Sequence, residues 1–326
     1  MAAVLRKLRR RILTPNDKAV LMSERGFHVK NPQSGDLLET IGRHFLKGYA
    51  FAAEAKTVEE AEANLEQLPT RFRGFAYEGA GMGYAMRDGL PIGGSRHFAR
   101  FLAGRARHHE YMAWIGLGWA MARLPRMRWS RFQVADPLMC WLVLDGYGFH
   151  QAYFKTQRYV REHHREPAFP WPGGPHAAYA NRAIDQGIGR ALWFIGGTDP
   201  DTTADLIEGF QPDRRADLWS GAGLAATYAG GADEDELRRF MVRAEGYHEH
   251  VAQGSAFAAT ARQEAGLIVP HTAVGLDVLC GGITAEEAER VCRRTRPAGE
   301  NPDGSEPAFE TWRRRISAAL VGAEAG

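Results

Sequence analysis

The chain has 326 residues, of which 44% are hydrophobic and 25% are charged. A chain of this size and composition buries enough apolar surface to fold without disulfides or metals, and wholesale disorder is excluded. The formal net charge is only +2, which is too small to argue for a nucleic-acid-binding protein, so no nucleic-acid partner is expected.

The N-terminal segment MAAVLRKLRRRILTPND is basic and lacks the apolar core of a secretory signal, which takes roughly 7–15 residues. Val4, Leu8 and Ile12 lie four positions apart, and this spacing predicts a short amphipathic helix with an arginine-rich outer face. Two interpretations stay open. The helix docks on its own protein, or it attaches to a membrane surface.

The most apolar stretch runs from Tyr111 to Leu124 and is shorter than the roughly 20 residues that cross a bilayer. No transmembrane span is therefore predicted. A buried helix is the default interpretation, and an interfacial helix or one wall of an apolar pocket are the alternatives. Cys140, Cys280 and Cys292 form no C-x-x-C pair, so neither a metal knuckle nor a disulfide framework is expected, and a reducing cytoplasm fits best.

Helix signals follow one another along the chain, and strand-like alternation is scarce. Thr57 and Thr284 each open a capping box of the S/T-x-x-E form, and Asp199-Pro200 begins another helix. The best strand candidate, 132–144, is interrupted by Pro137 and is interpreted mostly as helix. The sequence therefore predicts an all-α fold, a helical bundle.

Two segments of the chain resemble each other. The stretch from Ile41 ends in Gly79-Ala-Gly81, and the stretch from Ile188 ends in Gly221-Ala-Gly223. Each contains an apolar helix, a capped helix, a proline, arginines, an aromatic residue and Gly-Ala-Gly. This predicts two helical half-domains about a pseudo-twofold axis, with chance similarity between glycine- and alanine-rich helices as the alternative. The crevice between two packed halves is the natural ligand site.

The predicted organisation is one compact domain over 1–326. Its predicted parts are a first helical half at 37–158 with an inserted apolar and basic segment near 87–131, a hinge loop at 166–175, a second half at 181–275, and C-terminal helices at 276–326.

The Gly-x-Gly motifs do not indicate a nucleotide site, because no buried strand precedes them as the dinucleotide fingerprint requires. Gly79 and Gly81 serve either close helix packing or the approach of a ligand to the backbone. Glu245 and His248 have the E-x-x-H spacing, but a di-iron bundle needs two such pairs and further carboxylates. We therefore predict no metal site and no cofactor.

Single ionisable residues within glycine- and aromatic-rich helical segments are the candidate catalytic residues. They are Glu78, Asp145, His150, Asp185 and Arg190. Because buried charge is costly unless it is paired, such residues either pair with one another or face a cavity. Structural pairing, for example of Asp185 with an arginine, and a proton-exchanging cluster in an apolar pocket both stay open.

Several runs of the chain resemble the enediyne-biosynthesis UnbL-like family. They are SGDLLETIGRHFLKGYAFAAEA, RFRGFAYEGAGMGYAMRDG, DGYGFHQAYF and DQGIGRALWFIGG. This family of unknown function is encoded beside the enediyne polyketide synthase, and the resemblance covers nearly the whole chain. It implies a cytoplasmic protein that helps convert a linear polyene from the synthase into the enediyne core. The family has no established catalytic residues to carry over.

In a first hypothesis, the protein acts on a hydrophobic polyene or polyyne intermediate held in an aromatic-lined crevice between the halves. Tyr77, Tyr147 and Trp193 would stack on the conjugated chain, and the ligand would approach the backbone at Gly79 and Gly81.

In a second hypothesis, the protein is a non-catalytic carrier or scaffold. It would bind the intermediate, or dock the enediyne polyketide synthase or other pathway proteins through Arg123, Arg126 and Arg128. The sequence leaves open whether the protein is an enzyme.

Overall fold

The computed structural model describes residues 2–90, 96–132, 134, 136–300 and 304–324. All regular structure within these ranges is helical, which confirms the predicted all-α bundle. The α-helices are α1 (Ala2–Leu13), α2 (Met22–Arg25), α3 (Pro32–Glu54), α4 (Val58–Leu65), α5 (Thr70–Gly89), α6 (His97–Ala103), α7 (Glu110–Arg123), α8 (Met139–Phe154), α9 (Ala180–Ile195), α10 (Pro200–Glu208), α11 (Pro212–Ala229), α12 (Glu234–Arg243), α13 (His248–Glu264), α14 (Pro270–Leu279), α15 (Ala285–Thr295) and α16 (Ala308–Glu324).

The helix starts follow the capping signals. Thr57 accepts a hydrogen bond from the Glu60 amide at the start of α4, but the Glu60 carboxylate binds the Lys56 amide, so only half of the predicted capping box forms there. Thr284 forms a full capping box at the start of α15. Asp199 caps α10, which confirms the third of these predictions. The sequence predicts helix over most of 132–144. This prediction is wrong for the first part of the segment, because α8 starts only at Met139.

The long helices pack on one another in chain order, α3 on α5, α5 on α7, α7 on α8, α8 on α9, α9 on α11, and α11 on α13. Between α8 and α9, Gly148 lies against the carbonyl of Ile184 and Gly187 lies against the carbonyl of Asp145, with no room for a Cβ atom. The other interfaces have pairs of the same kind, namely Gly48 with Gly79, Gly81 with Gly116, Gly118 with Gly146, Gly189 with Gly221, and Gly223 with Gly254.

Each Gly-x-Gly therefore uses one glycine toward the preceding helix and one toward the following helix. α7, from the segment expected to be an insertion, packs between α5 and α8 like the other members of the row. It is buried, as its apolar sequence predicts. The pseudo-twofold relation between the two halves and the domain bounds stay predictions.

α1 is the amphipathic helix expected from the spacing of its apolar residues. The expected orientation is only partly correct, because Val4, Leu8 and Ile12 are 68%, 49% and 70% exposed. The Arg9 guanidinium instead faces the protein and donates a 3.1 Å hydrogen bond to the Ala55 carbonyl. Within the described ranges, no helix combines the length and apolarity needed to span a bilayer.

Candidate functional site

A cavity of about 360 Å³ opens between α3, α5, α7, α8, α9 and the segment that follows α1. This volume falls within the range of roughly 300–1,000 Å³ that small-molecule sites occupy. The lining residues are Pro15, Ala19, Val20, Leu38, Ile41, Gly42, Phe45, Leu46, Phe75, Glu78, Met82, Trp119, Arg123, Phe149, His150, Tyr153, Phe154, Arg190 and Phe194. Aliphatic and aromatic side chains form most of the wall.

Helical periodicity explains why the one carboxylate of this wall faces the cavity. Phe75, Glu78 and Met82 lie three and four positions apart, so all three project from the same face of α5 into the cavity. Leu38, Ile41 and Phe45 present a similar stripe from α3. Glu78 therefore occupies a position on its helix where the spacing of the apolar side chains predicts another apolar residue.

Glu78, Asp145 and Arg190 form a buried group that we call the cavity triad. Their exposed fractions are 3%, 1% and 5%. Arg190 donates a hydrogen bond to Asp145 Oδ1, and its Nη2 atom lies 3.9 Å from Glu78 Oε1. The second oxygen of Asp145, Oδ2, has no hydrogen-bond partner. The triad thus sets one cation against two carboxylates.

Burial raises the pKa of Glu78 to about 7, with Arg190 opposing the shift and the charge of Asp145 adding to it. Burial also raises the pKa of Asp145, although the adjacent guanidinium opposes it. For Arg190, burial lowers the pKa, but the two carboxylates outweigh burial and raise it overall. Both carboxyl groups of the triad therefore have raised pKa values, and Glu78 is the one that lines the cavity.

His150 supplies a second polar group on the cavity wall. It is buried, and its Nδ1 atom has no hydrogen-bond partner. Burial lowers the pKa of His150 to about 3, and the charge of Arg123 acts in the same direction. The imidazole is therefore neutral at physiological pH and offers a ligand one uncharged donor or acceptor.

The structure brings four of the predicted catalytic residues together and places the fifth elsewhere. Glu78, His150 and Arg190 line the cavity, with Asp145 directly behind Arg190. Asp185 is paired with Arg214, whose Nη2 and Nε atoms lie 2.6 Å and 3.0 Å from its two carboxylate oxygens.

Burial raises the pKa of Asp185 to about 6, against the opposing effect of Arg214. Asp185 does not line the cavity. Its position matches the structural pairing that the sequence left open, and its role in any reaction stays a prediction.

The predicted ligand-binding residues on α5 do not line the cavity. Gly79 faces the backbone of Phe45, and Gly81 faces the backbone of Ala113. The Tyr77 ring stacks on His109 at a centroid distance of 3.6 Å, and its hydroxyl donates a hydrogen bond to Glu66.

The two remaining candidates also point elsewhere. The Tyr147 hydroxyl accepts a 2.8 Å hydrogen bond from Gln151, and its ring packs on Phe169. The Trp193 indole donates a 3.0 Å hydrogen bond to the Gly230 carbonyl. A role of these side chains in ligand binding stays a prediction, and none of them contacts the cavity described above.

Sequence reasoning did not single out the aromatic wall of the cavity. Trp119 lies between Phe45 and Phe149, at centroid distances of 4.4 Å and 5.2 Å. A signal was present in α8, where Phe149 and Tyr153 are four residues apart and share one face. One wall of an apolar pocket is an alternative for the segment of α7, and Trp119 of α7 does line the cavity, but nothing in the sequence states that α3 supplies an opposing ring.

A second buried ionic group, the α16 network, lies between α9, α11 and α16 away from the cavity. It consists of Tyr179, Arg182, Asp217, Glu310 and Arg313. Arg313 and Arg182 bind Asp217 at 2.7 Å and 2.9 Å.

Glu310 holds the rest of the α16 network together. It lies 2.9 Å from Arg182 and accepts a 2.7 Å hydrogen bond from the Tyr179 hydroxyl. Two cations therefore meet two carboxylates. Burial alone would raise the pKa of Asp217, but the charges of Arg313 and Arg182 hold it below its ordinary value.

No cluster of three or more His, Cys, Asp or Glu side chains among the described residues is close enough to hold a metal ion. Comparison with curated proteins and with solved structures gives no match. The family model described as "Protein of unknown function (DUF1702)" matches residues 4–320. That range includes every residue of the cavity wall and of both buried ionic groups. The chain therefore belongs to the DUF1702 family.

Proposed function

We propose that the protein binds a hydrophobic polyene or polyyne in the cavity and exchanges a proton with it through Glu78. The proposal rests on one observation, the cavity itself. The cavity is apolar, and burial raises the pKa of a carboxyl group at its wall to about 7. In this proposal the ligand is an intermediate of enediyne polyketide biosynthesis in the cytoplasm. The biosynthetic context rests on the sequence resemblance described above.

The aromatic wall supports the choice of a conjugated ligand. Phe45, Trp119 and Phe149 form a contiguous set of rings along one side of the cavity. Aromatic faces bind flat, conjugated chains through dispersion and offset stacking, and apolar side chains exclude water from them. The few polar groups would fix the orientation of the chain.

The triad supports proton exchange. A general acid or base works best when its pKa lies near the working pH, and Glu78 meets this condition. Arg190 stabilises the carboxylate form of Glu78, and Asp145 holds Arg190 in place through its hydrogen bond. Asp145 is therefore a positioning residue, whereas Glu78 reaches the ligand.

A carrier function is the second candidate, and the partial enclosure of the cavity favours it. Five helices and the segment after α1 surround the space, which would protect a labile molecule from water. The three arginines of the docking surface in the scaffold hypothesis, Arg123, Arg126 and Arg128, are exposed or half-exposed. Arg123 lines the cavity, and Arg126 is bound to Glu166 at 2.9 Å.

Binding is tested with a fluorescent conjugated tetraene fatty acid as the probe. Leu38→Trp fills part of the cavity, because Leu38 is buried in its wall. We expect the affinity for the probe to fall at least about tenfold, which corresponds to about 1.4 kcal/mol. Leu37→Trp, at the adjacent position outside the wall, is the matched control and should bind within twofold of the wild type. Equal loss in both variants would contradict a ligand site in this cavity.

Turnover is tested by complementing a gene deletion in the producing organism. Glu78→Gln should retain probe binding and give no enediyne product, because an amide cannot exchange the proton. Glu59→Gln, at an exposed glutamate of α4 outside the cavity, is the matched control and should restore product. Wild-type product from Glu78→Gln, with Leu38→Trp inactive, would favour the carrier function.

A further inference from the structure

The N-terminal helix α1 carries an uncovered apolar stripe. Val4, Leu8 and Ile12 follow one another at intervals of four residues, and all three side chains are exposed. Residues with this spacing lie along one face of a helix. Isolated exposed aliphatic residues are ordinary, but three in a row on one helix form a continuous surface.

The contact between α1 and the rest of the protein explains why the stripe is uncovered. Arg9 binds the carbonyls of Ala53 and Ala55 at the end of α3. Arg10 forms a 2.8 Å ion pair with Glu54 in the same place. Polar contacts with the end of α3 and the packing of Leu13 against the core therefore hold the helix, and the apolar stripe is left facing outward.

The charged residues of α1 itself have one sign. Arg6, Lys7, Arg10 and Arg11 flank the stripe on α1, and the sequence contains no acidic residue before Asp17. Exposed cations beside an apolar stripe complement a surface that combines negative charge with accessible hydrocarbon. A bilayer that contains anionic lipids has this combination.

We propose that α1 lies in the headgroup region of an anionic bilayer and attaches the protein peripherally to it. Val4, Leu8 and Ile12 enter the boundary between headgroups and acyl chains, while Lys7 and Arg11 bind lipid phosphates. The exposed residues are aliphatic and basic, which suits insertion parallel to the membrane plane.

The position of the cavity relative to α1 has a consequence for ligand entry. Pro15 and Ala19, in the segment directly after α1, are half-exposed and line the cavity. Attachment through α1 therefore brings this side of the cavity close to the lipid, so that a hydrophobic ligand reaches it with little passage through water. This delivery step rests on the proposed function, whereas membrane attachment does not.

The experiment is co-sedimentation with vesicles of phosphatidylcholine alone or mixed with phosphatidylglycerol. The full chain should bind the mixed vesicles, bind the neutral vesicles at least tenfold more weakly, and dissociate as salt rises. The triple variant Val4→Ser, Leu8→Ser, Ile12→Ser should lose at least about tenfold in affinity, because the buried aliphatic area is removed. Val242→Ser, at an exposed aliphatic residue on α12, is the matched control.

Lys7→Gln and Arg11→Gln test the charge contribution. Each should weaken binding to mixed vesicles by about fivefold and leave any binding to neutral vesicles unchanged. Equal sedimentation of the wild type and the triple variant would overturn the proposal. A wild-type dimer that the triple variant converts to a monomer without vesicles would also overturn it, since a second copy would then cover the stripe.

The cavity variant separates this proposal from the function. Leu38→Trp should keep full vesicle binding while losing the tetraene probe, and the α1 triple variant should show the reverse. Loss of vesicle binding in Leu38→Trp alone would overturn the assignment of membrane binding to α1.

Discussion

The cavity triad and the α16 network are both buried ionic groups, and they differ in the balance of charge. In the α16 network, Arg182 and Arg313 meet Asp217 and Glu310, so each carboxylate has a cation. In the cavity triad, a single guanidinium faces two carboxylates. The network neutralises itself, whereas the triad retains one negative charge unless a proton binds.

This difference in balance produces opposite pKa shifts in equally buried carboxyl groups. Two arginines hold the pKa of Asp217 below its ordinary value despite burial. Burial raises the pKa of Glu78 to about 7, because the single arginine offsets burial only in part and the charge of Asp145 adds to the shift. The α16 network therefore anchors a helix, while the triad leaves a group that titrates beside a cavity.

The largest expected effect comes from removing the single cation of the triad. Arg190→Met leaves Asp145 and Glu78 buried without a partner, and we expect a loss of about 4 kcal/mol in the free energy of unfolding at pH 7. Urea denaturation measures this loss.

Arg182→Met is the control in the balanced network. Its side chain is 28% exposed, and Arg313 remains on Asp217. A loss of only about 1–2 kcal/mol is expected there. Equal losses in the two variants would show that charge balance does not distinguish the two groups.

Glutamate-to-glutamine changes should have opposite signs in the two groups. The pKa of Glu78 is raised from 4.5 to about 7 by folding, so the bound proton favours the folded state below pH 4.5, and this contribution is lost as pH rises through 7. Glu78→Gln removes the free-energy cost of burying the ionised carboxylate, and we expect it to stabilise the protein at pH 8 by roughly 1–3 kcal/mol.

The same substitution in the network removes a paired charge. Glu310→Gln should destabilise the protein at pH 8 by about 2 kcal/mol, because Arg182 and Arg313 lose charge-assisted hydrogen bonds. Denaturation of both variants from pH 4 to pH 8 tests the signs. A stability curve of Glu78→Gln that falls between pH 4.5 and 7 as steeply as that of the wild type would contradict the assignment of this titration to Glu78.

The smallest effect is expected at His150. Its Nδ1 atom has no hydrogen-bond partner to lose, so His150→Phe should change the free energy of unfolding by less than about 1 kcal/mol. Tyr179→Phe is the counterpart in the network, where the hydroxyl binds Glu310 and Arg313. A loss of about 1–3 kcal/mol is expected there. Thermal or urea unfolding of the two variants measures both losses of stability. A large loss in His150→Phe would contradict the comparison.

Local signals predicted much of the fold. Thr57, Asp199 and Thr284 cap helices where the sequence expects them, because capping depends on residues only two or three positions away. Glu78, Asp145, His150 and Arg190 were identified as a group by the cost of burying charge. Their mutual contacts were not, since they are contributed by three helices distant in sequence.

The site prediction failed to separate Asp185 from the cavity residues for a physical reason. Asp185 and Arg190 both lie on α9, but Asp185 pairs with Arg214 of α11 whereas Arg190 reaches α8. Helical spacing alone gives the face of a residue and not the helix that meets it. Similarly, the apolar stripe of α1 is visible in the sequence, whereas its exposure depends on the hydrogen bond of Arg9 at the end of α3.

The sequence by itself determined the helical fold, the helix starts, and the presence of ionisable residues in apolar helical faces, because each depends on local spacing and on general costs of burial. Only the tertiary structure decided which carboxylates share a cation and where space remains unfilled. Glycine contacts bring α8 and α9 together and place Asp145 beside Arg190. The charge balance of the site is therefore a property of helix packing, which joins residues far apart in the chain.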